Sequence, residues 1–159
     1  MTVRVRDSAG IDADGEVLSG YLADYRVVST LVEGLEDLEP VDPGSCGPGA
    51  RFNAVVRFGP RKVRSIVELV EVDPGREVLW SASGDGGRSL RFTLSGGAGG
   101  VTLVSLEISY EPPGGIAGVL LAPVVEQTVR TGAWVSLERL SHLAAERSGS
   151  GGGSERAGP

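Results

Sequence analysis

The chain has 159 residues, 40% of them hydrophobic, and a mean hydropathy of +0.03, which fits one globular domain with its own core and excludes a disordered chain. Its net charge of -6, from 21 acids and 15 bases with Lys62 as the lone lysine, argues against a nucleic-acid face and against attraction to anionic membranes. One cysteine, Cys46, and one histidine, His142, exclude an internal disulfide, a cysteine cage and a two-histidine metal site, so no metal or cofactor is expected.

The chain opens without a charged-then-apolar leader, so a cytoplasmic location is expected. Thr2 to Ile11 alternates Val3 and Val5 with Arg4 and Arg6 and predicts a strand. Asp12 then offers a helix N-cap, with Asp14 and Glu16 favourable against the helix dipole. Val17, Leu18, Tyr21 and Leu22, then Tyr25, Val28, Leu31 and Val32, predict a helix pair over residues 13–33, broken near Asp24.

From Leu35 to Tyr110 strand-like runs alternate with turn clusters: Asp42 to Gly49, Gly59-Pro60, Asp73-Pro74-Gly75, Gly84 to Gly87, and Gly96 to Gly100. Six strands joined by tight reversals form an antiparallel meander, because parallel neighbours need long crossovers. The first strand makes seven. After Pro112-Pro113-Gly114-Gly115 the period becomes helical to about Arg147, with Ala122, Val125, Val129, Ala133, Ser136, Leu140 and Leu143 on one face. Pro123 is read near the start of this helix, placed over roughly Gly118 to Arg147. Its most apolar run, Gly115 to Val125, is well short of the roughly 20 residues of a membrane span. Ser148 to Pro159 is Gly/Ser-rich and predicts a disordered tail, leaving residues 1–147 as the domain. The fold class is therefore α+β: a seven-stranded antiparallel sheet covered by the long C-terminal helix.

This order resembles the SRPBCC superfamily, also called START-like, Bet v 1-like or helix-grip proteins, and within it the bacterial polyketide cyclase/dehydrase and coenzyme Q-binding lipid-transport families. The likeness runs from Val3 to Glu146. It is carried by Ile11-Asp12-Ala13 leading to Tyr21-Leu22-Ala23-Asp24-Tyr25, and by Val70-Glu71-Val72-Asp73-Pro74 before Trp80. Tyr110 to Gly115 and Leu137-Glu138-Arg139-Leu140 complete it. The chain departs from many relatives in lacking a tryptophan over Arg26 to Leu31 and in carrying Val101 before Thr102. The resemblance implies a curved sheet gripping the last helix around a cavity. It further implies a hydrophobic small-molecule partner (a polyketide, lipid or quinone-like compound) or, alternatively, a polyketide cyclase/dehydratase-like enzyme promoting aldol condensation or dehydration. A monomer or weak dimer is expected.

On the inner face of the last helix Gly132, Ala133 and Ser136 are small; the gap they leave is either closed by sheet residues or open to a ligand. The last strand is phased by Thr102, Val104, Leu106, Ile108 and Tyr110 on the apolar side. The same alternation turns Leu90, Phe92 and Leu94 inward, with Val78, Trp80, Phe52, Ala54, Val56 and Phe58. A ligand-binding wall of Trp80, Phe92, Leu106, Ile108, Tyr110, Val125, Val129, Gly132 and Ser136 follows, although each aromatic taken singly reads first as an ordinary core residue.

Arg61 to Val72 carries apolar groups in both phases. If Val70 and Val72 face inward, so do Arg64, Ile66 and Glu68. Glu68 then becomes a proton shuttle if burial favours its neutral form, an ionised partner of Arg64, or a solvated edge residue. Glu68, Tyr110 and Ser136 are the catalytic candidates. Gly84 to Ser89 has the look of a phosphate loop but leads into a strand, so it is read as a hairpin turn. Cys46 has no cationic neighbour closer than Arg51 and is read as inert. His142 and Trp134 fall off the apolar stripe and should be exposed, Trp134 marking a neighbour or partner contact.

Overall fold

A computed structural model describes residues 2–58, 61–83, 88–111 and 115–156, with side chains for 2–57, 62–82, 88–111 and 123–148. The alternating N-terminal run forms β1 (Val3–Asp12). Two short helices follow, α1 (Gly15–Ala23) and α2 (Tyr25–Leu31). The N-cap of α1 is Asp14, whose side chain accepts from the Glu16 amide, and not the expected Asp12. Asp12 is still in β1, paired with Val101, and a paired extended residue cannot open a helix. Asp24 ends α1 and caps α2 through the Arg26 amide, so one residue makes the break.

The meander comprises β2 (Leu35–Pro40), β3 (Arg51–Phe58), β4 (Arg61–Asp73), β5 (Glu77–Ser83), β6 (Arg88–Gly96) and β7 (Val101–Tyr110). Every pairing is antiparallel, in the order β1-β7-β6-β5-β4-β3-β2. The expected reversals at Gly59-Pro60 and Gly84 to Gly87 lie outside the described residues, as does the Phe58 side chain. The strands flanking both pair as hairpins require.

The last helix, α3, is Gly115–Arg156, longer at both ends than the expected Gly118 to Arg147. Pro123 is consequently inside it, where its ring removes one helix hydrogen bond. Its described backbone continues to Arg156, into the Gly/Ser-rich segment. Glycine costs about 1 kcal/mol there relative to alanine, making this the weakest part of the helix.

The core lies between the inner face of the sheet, the helix pair and the second half of α3. Ala133, Leu137, Leu140 and Ala144 are buried there, at i, i+4, i+7 and i+11. This stripe includes Leu137 and Ala144, missed by the sequence reading, while Leu143 is only half-buried. Three side-chain hydrogen bonds fasten the helix pair and the residue leading into it to the sheet and its β4–β5 turn. Trp80 Nε1 donates to the Leu22 carbonyl at 2.8 Å, Thr102 Oγ1 to Ala13 at 2.6 Å, and the Gly75 amide to Ser19 Oγ at 2.9 Å. Phe52 stacks between Tyr25 and Trp80, with centroid distances of 5.1 and 5.5 Å.

The phase of β4 is decided by a bulge. Leu69 pairs with Trp80 and Glu71 with Leu79, leaving Val70 as the extra residue. A bulge adds one residue and reverses the alternation beyond it. Val72 therefore packs on the core, as do Val67 and Leu69 before the bulge, whereas Ile66 and Val70 are 38% and 39% exposed. Of the two phases the sequence leaves open for this strand, Arg64, Ile66 and Glu68 take the outer one, with Val70.

Candidate functional site

Helix α3 treats the sheet differently along its length. Its second half is closely packed, Ala133 being 0% and Leu140 1% exposed. Its first half stands off the sheet, where Val125, Thr128 and Val129 cover a cavity of about 390 Å³. That volume is within the roughly 300–1,000 Å³ typical of small-molecule sites. The floor is the inner face of β3 to β7, including Ala54, Val67, Trp80, Leu90, Leu106 and Ile108. The side wall comes from α2 with its C-cap, Val28 and Val32, and from β2, Leu35 and Leu38.

The structure brings together most of the residues expected at the site. Trp80, Leu106, Ile108, Tyr110, Val125, Val129, Gly132 and Ser136 all line the cavity. Two do not. Phe92 is 3% exposed in the closed core, because only the first part of β6 (Arg88 and Leu90) borders the cavity and the rest continues beneath α1. Glu68 lies on the opposite face of the sheet, in register with Arg51 and Ser81. It has no access to the cavity and drops out as a proton shuttle.

The polar groups differ in how far they are already engaged. Ser136 Oγ donates to the Gly132 carbonyl at 2.7 Å and accepts from the Glu33 amide at 3.2 Å. Its proton is committed to the helix, and its role is to hold the α2–β2 turn against α3. Glu33 is ion-paired with Arg139 at 2.6 Å, and Arg139 also reaches the Leu31 carbonyl at 3.5 Å. Gly34, in that turn, has φ +86, and a Cβ there would meet the Arg57 carbonyl at 3.0 Å; the left-handed backbone and this close approach both call for glycine. Arg57 is held by Glu36 at 2.5 Å, which also binds Lys62 at 3.0 Å. The two cations keep the Glu36 carboxyl below its ordinary range.

Arg88 and Tyr110 stand in register in the wall, on β6 and β7. Burial pulls the Arg88 guanidinium down to about 10. Burial, then the Glu126 carboxylate, raises the Tyr110 phenol above its ordinary value, against the opposing pull of Arg130 and Arg88. Tyr110 therefore stays protonated, a donor, throughout the physiological range.

A family model described as polyketide cyclase / dehydrase and lipid transport matches residues 2–144. The chain belongs to this family.

No curated protein matches the chain in sequence. Among solved structures, a protein of Thermus thermophilus is 23% identical with a TM-score of 0.79, over 92% of this chain and 99% of that one. A START superfamily protein from Mycobacterium smegmatis is 12% identical with a TM-score of 0.70, over 90% and 97%. The di-domain ARO/CYC StfQ from the steffimycin biosynthetic pathway is 12% identical with a TM-score of 0.72, over 94% of this chain and 52% of that one. These likenesses establish the helix-grip, START-like fold. For this family member the sequence reading missed Arg88, hidden at the end of a glycine-rich turn, and the apolar side wall from the helix pair. The alternation of β6 puts Arg88 in phase with Leu90 and Phe92 and could have found it.

Outside the cavity, Cys46 is exposed, as are His142 and, at 54%, Trp134. Trp134 and His142 border a shallow depression beside Asp7 to Gly10 of β1. Among the described residues no cluster of side chains could hold a metal ion, and no helix is long and apolar enough to cross a membrane.

Proposed function

We infer that the protein binds a hydrophobic small molecule, of polyketide, lipid or quinone-like character, between the sheet and the first half of α3. The observation that carries this reading is the contrast within one helix: close packing after Ala133 and an apolar cavity of about 390 Å³ before it. Interiors are normally filled to crystal-like density, so an apolar cavity of this size supports a binding volume over slack in the core. Membership of a family described by polyketide chemistry and lipid transport agrees with it. Native mass spectrometry of protein purified from its own host tests it. A copurified apolar mass that leaves on denaturation supports the reading. Ligand-free protein that also fails to take up a neutral hydrophobic dye refutes it.

The second reading, cyclase- or dehydratase-like catalysis, is favoured by the family description and by Tyr110, a protonated phenol lining the cavity. Of the three catalytic candidates it alone remains. Glu68 faces away, and the Ser136 hydroxyl already donates its hydrogen bond to the Gly132 carbonyl. Such a site would orient a flexible substrate by its apolar walls and polarise one oxygen through the phenol.

A further inference from the structure

The inner faces of β5 and β6 pass from open cavity to closed core, and the changeover falls at one pair of residues. Along β5 the inward side chains run Ala82, Trp80, Val78; the first two line the cavity, and Val78 is 0% exposed. Along β6 they run Arg88, Leu90, Phe92; again the first two line the cavity and the third is buried. Trp80 and Leu90 pair across the strands at this border. Trp80 also spans the gap between the layers. It is rooted on β5, and its Nε1 reaches the Leu22 carbonyl of α1 at 2.8 Å, so the indole stands between the sheet and the helix pair.

Two contacts keep the ring in place. Phe52, itself against Tyr25, packs on it at a centroid distance of 5.5 Å. Swinging the indole aside would also leave a buried N–H and its carbonyl unpaired. That bond uses the ring's sole polar atom, so toward the cavity Trp80 presents carbon alone. A polar group of a ligand placed there would lose its hydration with nothing in return, so an apolar tail belongs at this end.

We propose that Trp80 is the end wall of the cavity and sets the length of apolar chain the protein accepts, the ligand lying tail-first against the indole. This rests on the reading of the cavity as a binding site.

The test follows displacement of the neutral probe N-phenyl-1-naphthylamine by straight-chain primary alkanols, from hexanol to tetradecanol. Each methylene that stays inside should tighten binding about fourfold, and the gain should stop at a definite length. Trp80→Leu, with circular dichroism confirming its fold, should carry the gain at least about two carbons further at the same slope. A gain that runs unbroken to tetradecanol in the wild-type protein, or a break at the same length in folded Trp80→Leu, would overturn the end wall and leave the cavity standing. A second measurement needs no change at Trp80. The chain has 2 tryptophans, and Trp134 is 54% exposed, so Trp134→Phe leaves Trp80 as the sole indole emitter. Decanol brominated at its terminal carbon should quench that emission strongly at saturation, and decanol brominated beside the hydroxyl only weakly. Equal quenching by the two would overturn the proposal. Failure of every alkanol and of the probe to bind would overturn the binding reading with it.

Discussion

Two substitutions one helical turn apart separate an open cavity from a closed core. Val129 covers the cavity and is half-buried, whereas Ala133, the next position on the same stripe, is 0% exposed. Val129→Phe and Ala133→Leu each enlarge an apolar side chain, and neither changes helix propensity by more than a few tenths of a kcal/mol. At Ala133 the added atoms have nowhere to go, and overpacking costs about 1–3 kcal/mol. In a domain of this size each kcal/mol lowers Tm by roughly 2–4 °C, so a fall of about 2–12 °C is expected. At Val129 the ring enters existing space. Its Tm should stay within about 2 °C of wild type, while affinity for a neutral hydrophobic dye falls at least about tenfold. Scanning calorimetry beside dye titration reads both effects. A Tm loss at Val129→Phe equal to that at Ala133→Leu, with dye binding intact, would show that the helix is packed along its whole length.

Ser19→Ala leaves the Gly75 amide without its buried acceptor and should cost about 1–3 kcal/mol by urea unfolding. Gly34→Ala should cost at least about 1–2 kcal/mol, from the left-handed backbone alone. Truncation after Arg147 tests the proposed 1–147 domain: Arg147 over the Tyr21 ring, at 4.5 Å, is retained, so Tm should be unchanged, and a clear fall would give the last segment a structural role. In a spectrophotometric titration Tyr110 should give a late phase of tyrosine ionisation, and Tyr110→Phe should remove it. Because the folded Tyr110 value is raised, its contribution to stability is fully present below pH 10 and is lost as pH rises further. Glu68→Gln should leave dye binding unchanged, because the side chain is on the other face of the sheet.

The turn clusters and the change of period after Gly115 carried nearly all of the topology, because Gly/Pro chemistry and side-chain periodicity are local properties. The cavity wall contributed by β7 and α3 was legible for the same reason: once Val104 and Leu106 face inward, Ile108 and Tyr110 follow. The facing of Glu68 was left open by the sequence because a bulge is a pairing property. Nothing in Leu69-Val70-Glu71 announces that Val70 will go unpaired opposite β5. Phe92 was misplaced because phase tells which face a residue occupies and not how far along the sheet the helix pair reaches. Asp14 displaced Asp12 as the cap because β1 continues until its pairing with β7 ends, at Asp12–Val101. Val28 and Val32 reach the cavity through the docking of α2, and Leu35 and Leu38 through the pairing of β2 with β3, tertiary arrangements that no local pattern encodes.

The central claim, that the space under the first half of α3 is a binding site, is tested most directly by methyl NMR during titration with neutral decanol. The account predicts saturable shifts in the methyl signals of Leu106, Ile108, Val125 and Val129, with Leu137, Leu140 and Ala144 still. Shifts confined to the exposed Ile66, Val70 and Leu103, or no saturable shift at all, would contradict it.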